Sequence, residues 1–362
     1  MYRIPPIHNF WKATDPVLKD LVRYVTISAG LEASNVLHRA GAMASARGLG
    51  AIFTLHHVRP YAPKVANTND HLEITPEFLD AAIVQLKSEG YRFIRLEDIP
   101  SAIASRTDSR PFAVFSLDDG YRDNAEYALP VFARHDVPFT VFVCRGFSER
   151  THTIWWETAA ALLNASQAVD LKNGDGPIHY DVRTRRTKYA AFDHMAEAIC
   201  ARGEAKTIAK LDRAAMENGI DPKAIVEQLV MSGAELRKFS AHPLVSLGAH
   251  TLSHRALAYL SESEVRQELS ASADYVEAIT DRRPVTFAYP YGDRRSVTPE
   301  IARIVSQSGF TVGVTTSPGT VTGSSAQDLM LLPRISLNGY YQRKRYVSAL
   351  ASGIPFRLRG QG

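Results

Sequence analysis

Short apolar runs rich in β-branched and aromatic residues alternate with helical patterns along most of the chain. No other feature restricts the fold as much, because such alternation marks βα units whose strands pair in parallel. Candidate strands are Ala51 to Leu55, Phe93 to Leu96, Ala113 to Leu117, Phe139 to Cys144, Val245 to Ala249, Thr286 to Tyr289, Thr311 to Thr315 and Leu331 to Leu337. Eight of them suit an α/β barrel better than an open sheet. Several intervening helices announce their ends: Thr75 with Pro76 starts one that Gly90 stops, Ser261 with Glu264 forms a capping box, and Thr298 with Pro299 opens another that Gly309 ends. Between Phe147 and Pro243 the rhythm breaks. That stretch carries Trp155, Trp156, a polar turn-rich segment from Lys172 to Pro177 and then charged helical sequence, and it reads as a helical insertion at about 148–243 beside one rim. The chain thus divides into an N-terminal helical segment 1–47, a barrel over 48–340 and a C-terminal tail 341–362.

With 362 residues and 45% hydrophobic content, the chain can bury a core of barrel size. Lys and Arg number 42 against 38 acidic residues, a net +4 without any arginine-rich run, so nucleic acid is not an expected partner. Cys144 and Cys200 lie far apart and suggest no disulfide framework. The N-terminus lacks the pattern of a secretory signal and no window is apolar enough for a transmembrane segment, which makes the cytoplasm the default compartment. Asp15 to Arg39 forms a helical pattern with Leu18, Leu21, Val22 and Val25 on one side. Such a face packs on the barrel or, alternatively, rests peripherally on a membrane or a partner.

Three constellations carry chemistry. Phe115-Ser116-Leu117-Asp118-Asp119-Gly120 ends a strand in adjacent carboxylates, at the end where barrel loops converge. Two such carboxylates can divide labour, one binding a cation while the other takes a proton. Gly248-Ala249-His250-Thr251-Leu252-Ser253-His254 also follows a strand. Histidines four apart on one face of a helical turn can present two nitrogens to one ion, with an aspartate from elsewhere completing a three-ligand site. Phe287-Ala288-Tyr289-Pro290-Tyr291-Gly292 closes a third strand, and its sharp loop can turn backbone N–H groups into the mouth.

In this order, each ending a strand, the three motifs resemble the polysaccharide deacetylase family (carbohydrate esterase family 4, the nodulation-protein-B homology domain), over roughly Gly50 to Asn338 outside the insertion. The resemblance implies a distorted parallel (β/α) barrel, TIM-like, of seven or eight strands. It also implies a single divalent ion on Asp119, His250 and His254, Asp118 as the general base, and the Tyr291 backbone N–H as an oxyanion donor. Two imidazoles and a carboxylate suit zinc, with cobalt and nickel as alternatives. The implied activity is removal of N-acetyl groups from N-acetylglucosamine-type units of an oligosaccharide, polysaccharide or glycolipid precursor.

The sequence departs from the family pattern in two places. Many members have an arginine two residues before the proline of the third motif, where this chain has Ala288, and the usual late leucine-any-histidine is absent from Leu332-Pro333-Arg334-Ile335-Ser336-Leu337. Members that act on poly-N-acetylglucosamine carry a histidine at the end of an early strand. Phe53-Thr54-Leu55-His56-His57-Val58 looks like that segment and suggests His56 as the acid; strand alternation lets only one of His56 and His57 face the centre. Arg334 could supply the charge that Ala288 cannot, or pair elsewhere on the barrel. The departures also leave open a catalytically impaired glycan-binding relative, and an O-acetyl esterase using the same site.

Overall fold

The computed structural model describes residues 16–105, 108–173, 176–200 and 203–360. Asp15 and the rest of residues 1–15, the side chains of Leu18 and Leu21, Gly174 and Asp175 within the Lys172 to Pro177 turn, and residues 361–362 lie outside the described residues.

All eight anticipated strands enter one sheet. They are β1 (Gly50–Leu55), β2 (Arg92–Phe93), β3 (Phe112–Leu117), β4 (Phe139–Val143), β5 (Val245–Ala249), β6 (Thr286–Ala288), β7 (Val312–Val314) and β8 (Ile335–Ser336). Every pairing is parallel, in the order β7-β6-β5-β4-β3-β1-β8, with β2 beside the start of β3. A parallel bridge between Val314 and Leu332 ties the approach to β8 back to β7, so the sheet curls into a distorted barrel. Five strands are shorter than the sequence suggests, β2 and β8 the most. After Phe93 the chain leaves the sheet for a 3-10 turn at Leu96–Asp98, and between Leu332 and β8 the backbone swings out so that the Arg334 N–H bonds the Ser317 carbonyl.

Strands β1, β3 and β4 are buried at every residue, which explains their unbroken apolar runs: a parallel sheet covered on both faces has no polar side to alternate with. Alternation then sorts their side chains. Phe53, Leu55, Phe115, Leu117, Val141 and Val143 point outward to the covering helices, where Leu79, Ile83 and Leu86 of the helix Pro76–Ser88 meet them. Ile52, Val114, Phe142, Ala288, Val314 and Leu332 point into the barrel. Residues of that inward parity just above this layer are Thr54 and His56, Ser116 and Asp118, His250 and Arg334.

The insertion is mainly helical, but Ala168–Asn173 and Gly176–Asp181 pair as an antiparallel hairpin, where sequence suggested only a turn between helices. Its helices pack with the hairpin into a separate apolar cluster around Trp155, Trp156, Phe192 and Leu211. The segment after Tyr341 is not a loose tail. Helices Lys344–Ala351 and Ile354–Arg357 put Val347, Ala351 and Phe356 into the main core. The N-terminal helix Pro16–Arg39 packs Leu31 against Tyr346 and Ala349, while Val22 and Val25 stay exposed. Among the described residues no helix is long and apolar enough to cross a membrane.

Gly248 shows how tightly the barrel interior is filled below the site. A Cβ there would lie 2.5 Å from the Phe142 ring and 2.6 Å from Thr286 Oγ1, both inside the barrel. Gly248→Ala is expected to cost roughly 1–3 kcal/mol, read as a lower denaturant midpoint at unchanged slope. An unaltered midpoint would mean the interior has room to spare.

Candidate metal and catalytic site

The strand ends bring the motifs to one mouth. Register places Leu55 beside Leu117, so His56 and Asp118 emerge at one level; Leu117 lies beside Val141 and Val143 beside Ala249, so His250 emerges two residues further along on the same inward parity. The chain then turns sharply. Asp119 and Gly120 take φ of 73° and 69°, and Thr251, His254 and Tyr291 take 66°, 58° and 61°. Positive φ is disfavoured for side-chain-bearing residues and most of all for a β-branched one, so these loops hold strain that their surroundings must fix.

His250 and His254 do not share a helical turn, as their spacing suggests from sequence. Residues 250–256 form an irregular loop, and the left-handed Thr251 folds it back so that both rings meet the same carboxylate. Nε2 of each lies 3.6 Å from Asp119 Oδ1, and the donor atoms of the three residues lie within 4.8 Å of one another. Nδ1 of His250 donates to the Ala288 carbonyl at 2.7 Å, since that oxygen can only accept, and this leaves Nε2 as a lone-pair donor.

The donor set fits a cation on electrostatic grounds. Asp119 Oδ1 is buried with no hydrogen-bond partner, and burial together with the neighbouring Asp118 charge pushes the Asp119 carboxyl well above its usual range. Burial also keeps both imidazoles neutral, below their ordinary pKa. An unsatisfied acid between two neutral imidazoles is costly unless a positive ion joins them.

Asp118 is in the opposite condition. Burial alone would raise its pKa, but Arg334 faces it with two parallel hydrogen bonds of 2.8 Å and holds the carboxyl well below the ordinary range. The guanidinium is itself fixed by the Thr315 carbonyl at 2.9 Å and Ser116 Oγ at 3.2 Å, with Phe142 below. His56 Nε2 lies 3.9 Å from Asp118 Oδ2. Its side chain keeps 23% exposure, and desolvation lowers its pKa to about 3. Tyr291 presents a backbone N–H that no described residue engages, while its phenol lies between Trp155 Nε1 and Glu204. His56, Asp118, Asp119, His250, His254, Tyr291 and Arg334 all line one cavity of about 830 Å³. Trp155 and Trp156 reach its wall, whereas Tyr121 is fully buried behind it.

Three supports escape sequence reasoning. Glu268 accepts from the N–H groups of Leu252 at 2.9 Å and Ser253 at 2.8 Å, clamping the histidine loop. A signal existed, because Glu268 and Ser272 interrupt the apolar stripe Val265, Leu269, Ala273, Val276. Glu204, from the insertion, bridges the Ala256 N–H and the Tyr291 hydroxyl; as an acid in a helix's first turn it looks ordinary. His57 points away from the mouth and stacks on Tyr121, with its Nδ1 2.5 Å from Asp123 Oδ2 and its Nε2 3.8 Å from Glu157.

Burial alone would lower the His57 pKa, but Asp123 dominates and raises it to about 9. An unfolded imidazole titrates near 6.5, so the folded chain holds the extra proton between about 6.5 and 9. The stabilisation is complete below that window and lost as pH rises through it. Melting temperature is expected to fall from pH 6.5 to 9, and His57→Gln to lower it at pH 6 while flattening that fall. An equally steep fall in the variant would assign the titration to other groups.

Comparison with known proteins agrees with this geometry. Residues 212–313 match the family model of polysaccharide deacetylase, a stretch that contains His250, His254 and the Tyr289-Pro290-Tyr291-Gly292 loop. No curated protein matches. Among solved structures, the Streptococcus pyogenes deacetylase PplD in complex with acetate is similar at 17% identity and TM-score 0.52, covering 80% of this chain and 92% of its own. BC0361, a polysaccharide deacetylase from Bacillus cereus, follows at 14% and 0.51, covering 83% and 68%. IcaB from Ammonifex degensii aligns at 16% and 0.50, covering 84% and 98%. These likenesses describe the fold, a distorted parallel barrel, and the segment that matches the polysaccharide deacetylase model, residues 212–313, contains the histidine loop and the third motif.

Proposed function

We propose that this chain is a metal-dependent N-deacetylase that hydrolyses the acetamido group of N-acetylglucosamine-type units in an oligosaccharide, polysaccharide or glycolipid precursor. One observation carries the reading: buried Asp119, His250 and His254 converge beside an aspartate whose ionised form is clamped by a buried arginine, all on the wall of one cavity. Zinc suits two imidazoles and a carboxylate, with cobalt and nickel as alternatives. When bound, such an ion polarises the amide carbonyl and makes water more acidic.

The other roles follow from this chain's own groups. Asp118, kept ionised, accepts a proton from the attacking water. Arg334 orients that carboxylate, the task for which Ala288 has no side-chain donor. The Tyr291 N–H is free to bond the oxygen that gains charge. His56 rests neutral and 3.9 Å from Asp118, so it can collect the proton passing through that carboxylate and hand it to the leaving nitrogen, which departs as an amine. The products are acetate and a free amino sugar. A glycan-binding relative without activity would have no use for an ionised base beside the ligand set. An O-acetyl esterase would use the same groups, and the two reactions are separated by measuring amine release against ester loss.

Asp118→Asn should retain the parent's divalent ion and lose on the order of 10²-fold or more in acetate release. Asp119→Ala and His250→Ala should lose ion and activity together. Elemental analysis with an acetate assay checks both. Loss of the ion from Asp118→Asn, or full occupancy in His250→Ala, would overturn the division between base and ligand.

A further inference from the structure

The cavity at the site does not end there. The 830 Å³ continuous with Asp118 and the two histidines is near the upper end for small-molecule pockets and larger than an acetamido sugar's reacting end requires. Beyond the catalytic groups one side of its wall is formed by the N-terminal helix, the turn Gly339–Tyr341 and the two C-terminal helices, through Tyr24, Ile27, Tyr341, Leu350, Phe356 and the adjoining Leu358, with Arg23 and Arg359 among them. Tyr24 and Leu358 are 40% and 60% exposed, so this arm opens to the surface. The Tyr24 and Tyr341 rings lie stacked at 5.5 Å.

Such an arm is a poor place for more sugar. Glycan hydroxyls need hydrogen-bond partners when they leave water, and the Ile27, Leu350, Phe356 and Leu358 side chains offer none. A hydrocarbon chain gains from the same surface, with each buried methylene contributing up to roughly fourfold in affinity. Resting on the deacetylase reading above, we infer that the physiological substrate is an amino sugar bearing an apolar chain. In that complex the N-acetyl group meets Asp118 and the histidines, while the chain lies between the N-terminal helix and the C-terminal helix pair.

Ethyl and octyl glycosides of N-acetylglucosamine, kept below their micellar concentrations, test this on the full-length, metal-loaded protein, with binding and acetate release measured separately and chitin oligomers alongside. The octyl glycoside is expected to bind on the order of 10²-fold tighter than the ethyl one and to show a correspondingly higher kcat/KM. Leu358→Asp, at an exposed site that should fold normally, and Ile27→Asp are each expected to collapse the octyl-to-ethyl affinity ratio toward one. Equal affinities for the two glycosides would overturn the inference while leaving the deacetylase reading intact if acetate is still released. A gain with chitin oligomer length in place of alkyl length would overturn it in favour of a glycan cleft. Chain-length-dependent binding without acetate release would keep the apolar arm and remove the deacetylase reading.

Discussion

A carboxylate and a guanidinium face each other inside the barrel with 3% and 1% exposure, and the placement of everything around the site depends on that pair. Asp118 ends β3 and Arg334 precedes β8, two strands separated only by β1. Neither charge could stay buried without the other; removing one partner of such a pair typically costs about 3–5 kcal/mol because its mate is left uncompensated. The bidentate contact also fixes register. A slip of one residue in β8 would turn Arg334 outward and bring Ile335 into the barrel. The same contact keeps Asp118 ionised where burial would otherwise protonate it, so one interaction serves both fold and chemistry.

Around this pair the backbone is held in conformations it would not choose. Of the eight described non-glycine residues with positive φ, four are Asp119, Thr251, His254 and Tyr291, all on the loops of the site. Hydrogen bonds offset that strain from outside the mouth: Glu268 holds the histidine loop from the helix Glu262–Thr280, and Glu204 ties that loop to Tyr291 from the insertion. The insertion is therefore part of what shapes the site as well as a cap beside it. On the far side of the wall, the Asp123–His57–Glu157 cluster fills what would otherwise be a gap of unpaired buried charge.

Much of this was legible in the sequence because the relevant physics is local. Parallel strands declare themselves by unbroken apolar runs, and the helix starts at Thr75, Ser261 and Thr298 by residues that cap the first turn. Carboxylates and histidines directly after strands were visible as candidates for the same reason. Where nonlocal contacts decide, the sequence was less informative. The His250–His254 spacing suggests a helical turn, yet Thr251 is held left-handed by a loop whose clamp, Glu268, comes from another element. The hairpin at Ala168–Asp181 reads as polar turn, and the C-terminal helices as tail, because their apolar faces are short and gain meaning only against the core they complete. Ala288 reads as a missing donor in sequence because the strand order that puts Arg334, one strand removed, beside Asp118 is not a local property.

The central claim, that Arg334 holds Asp118 ionised and oriented as the base, is tested most directly by the pH dependence of kcat/KM for Arg334→Met at metal content equal to the parent's. Without the guanidinium, burial should dominate, and the acidic limb should move to higher pH by about one unit or more, with a lower plateau. An acidic limb that stays where the parent's lies, with the metal in place, would contradict the account.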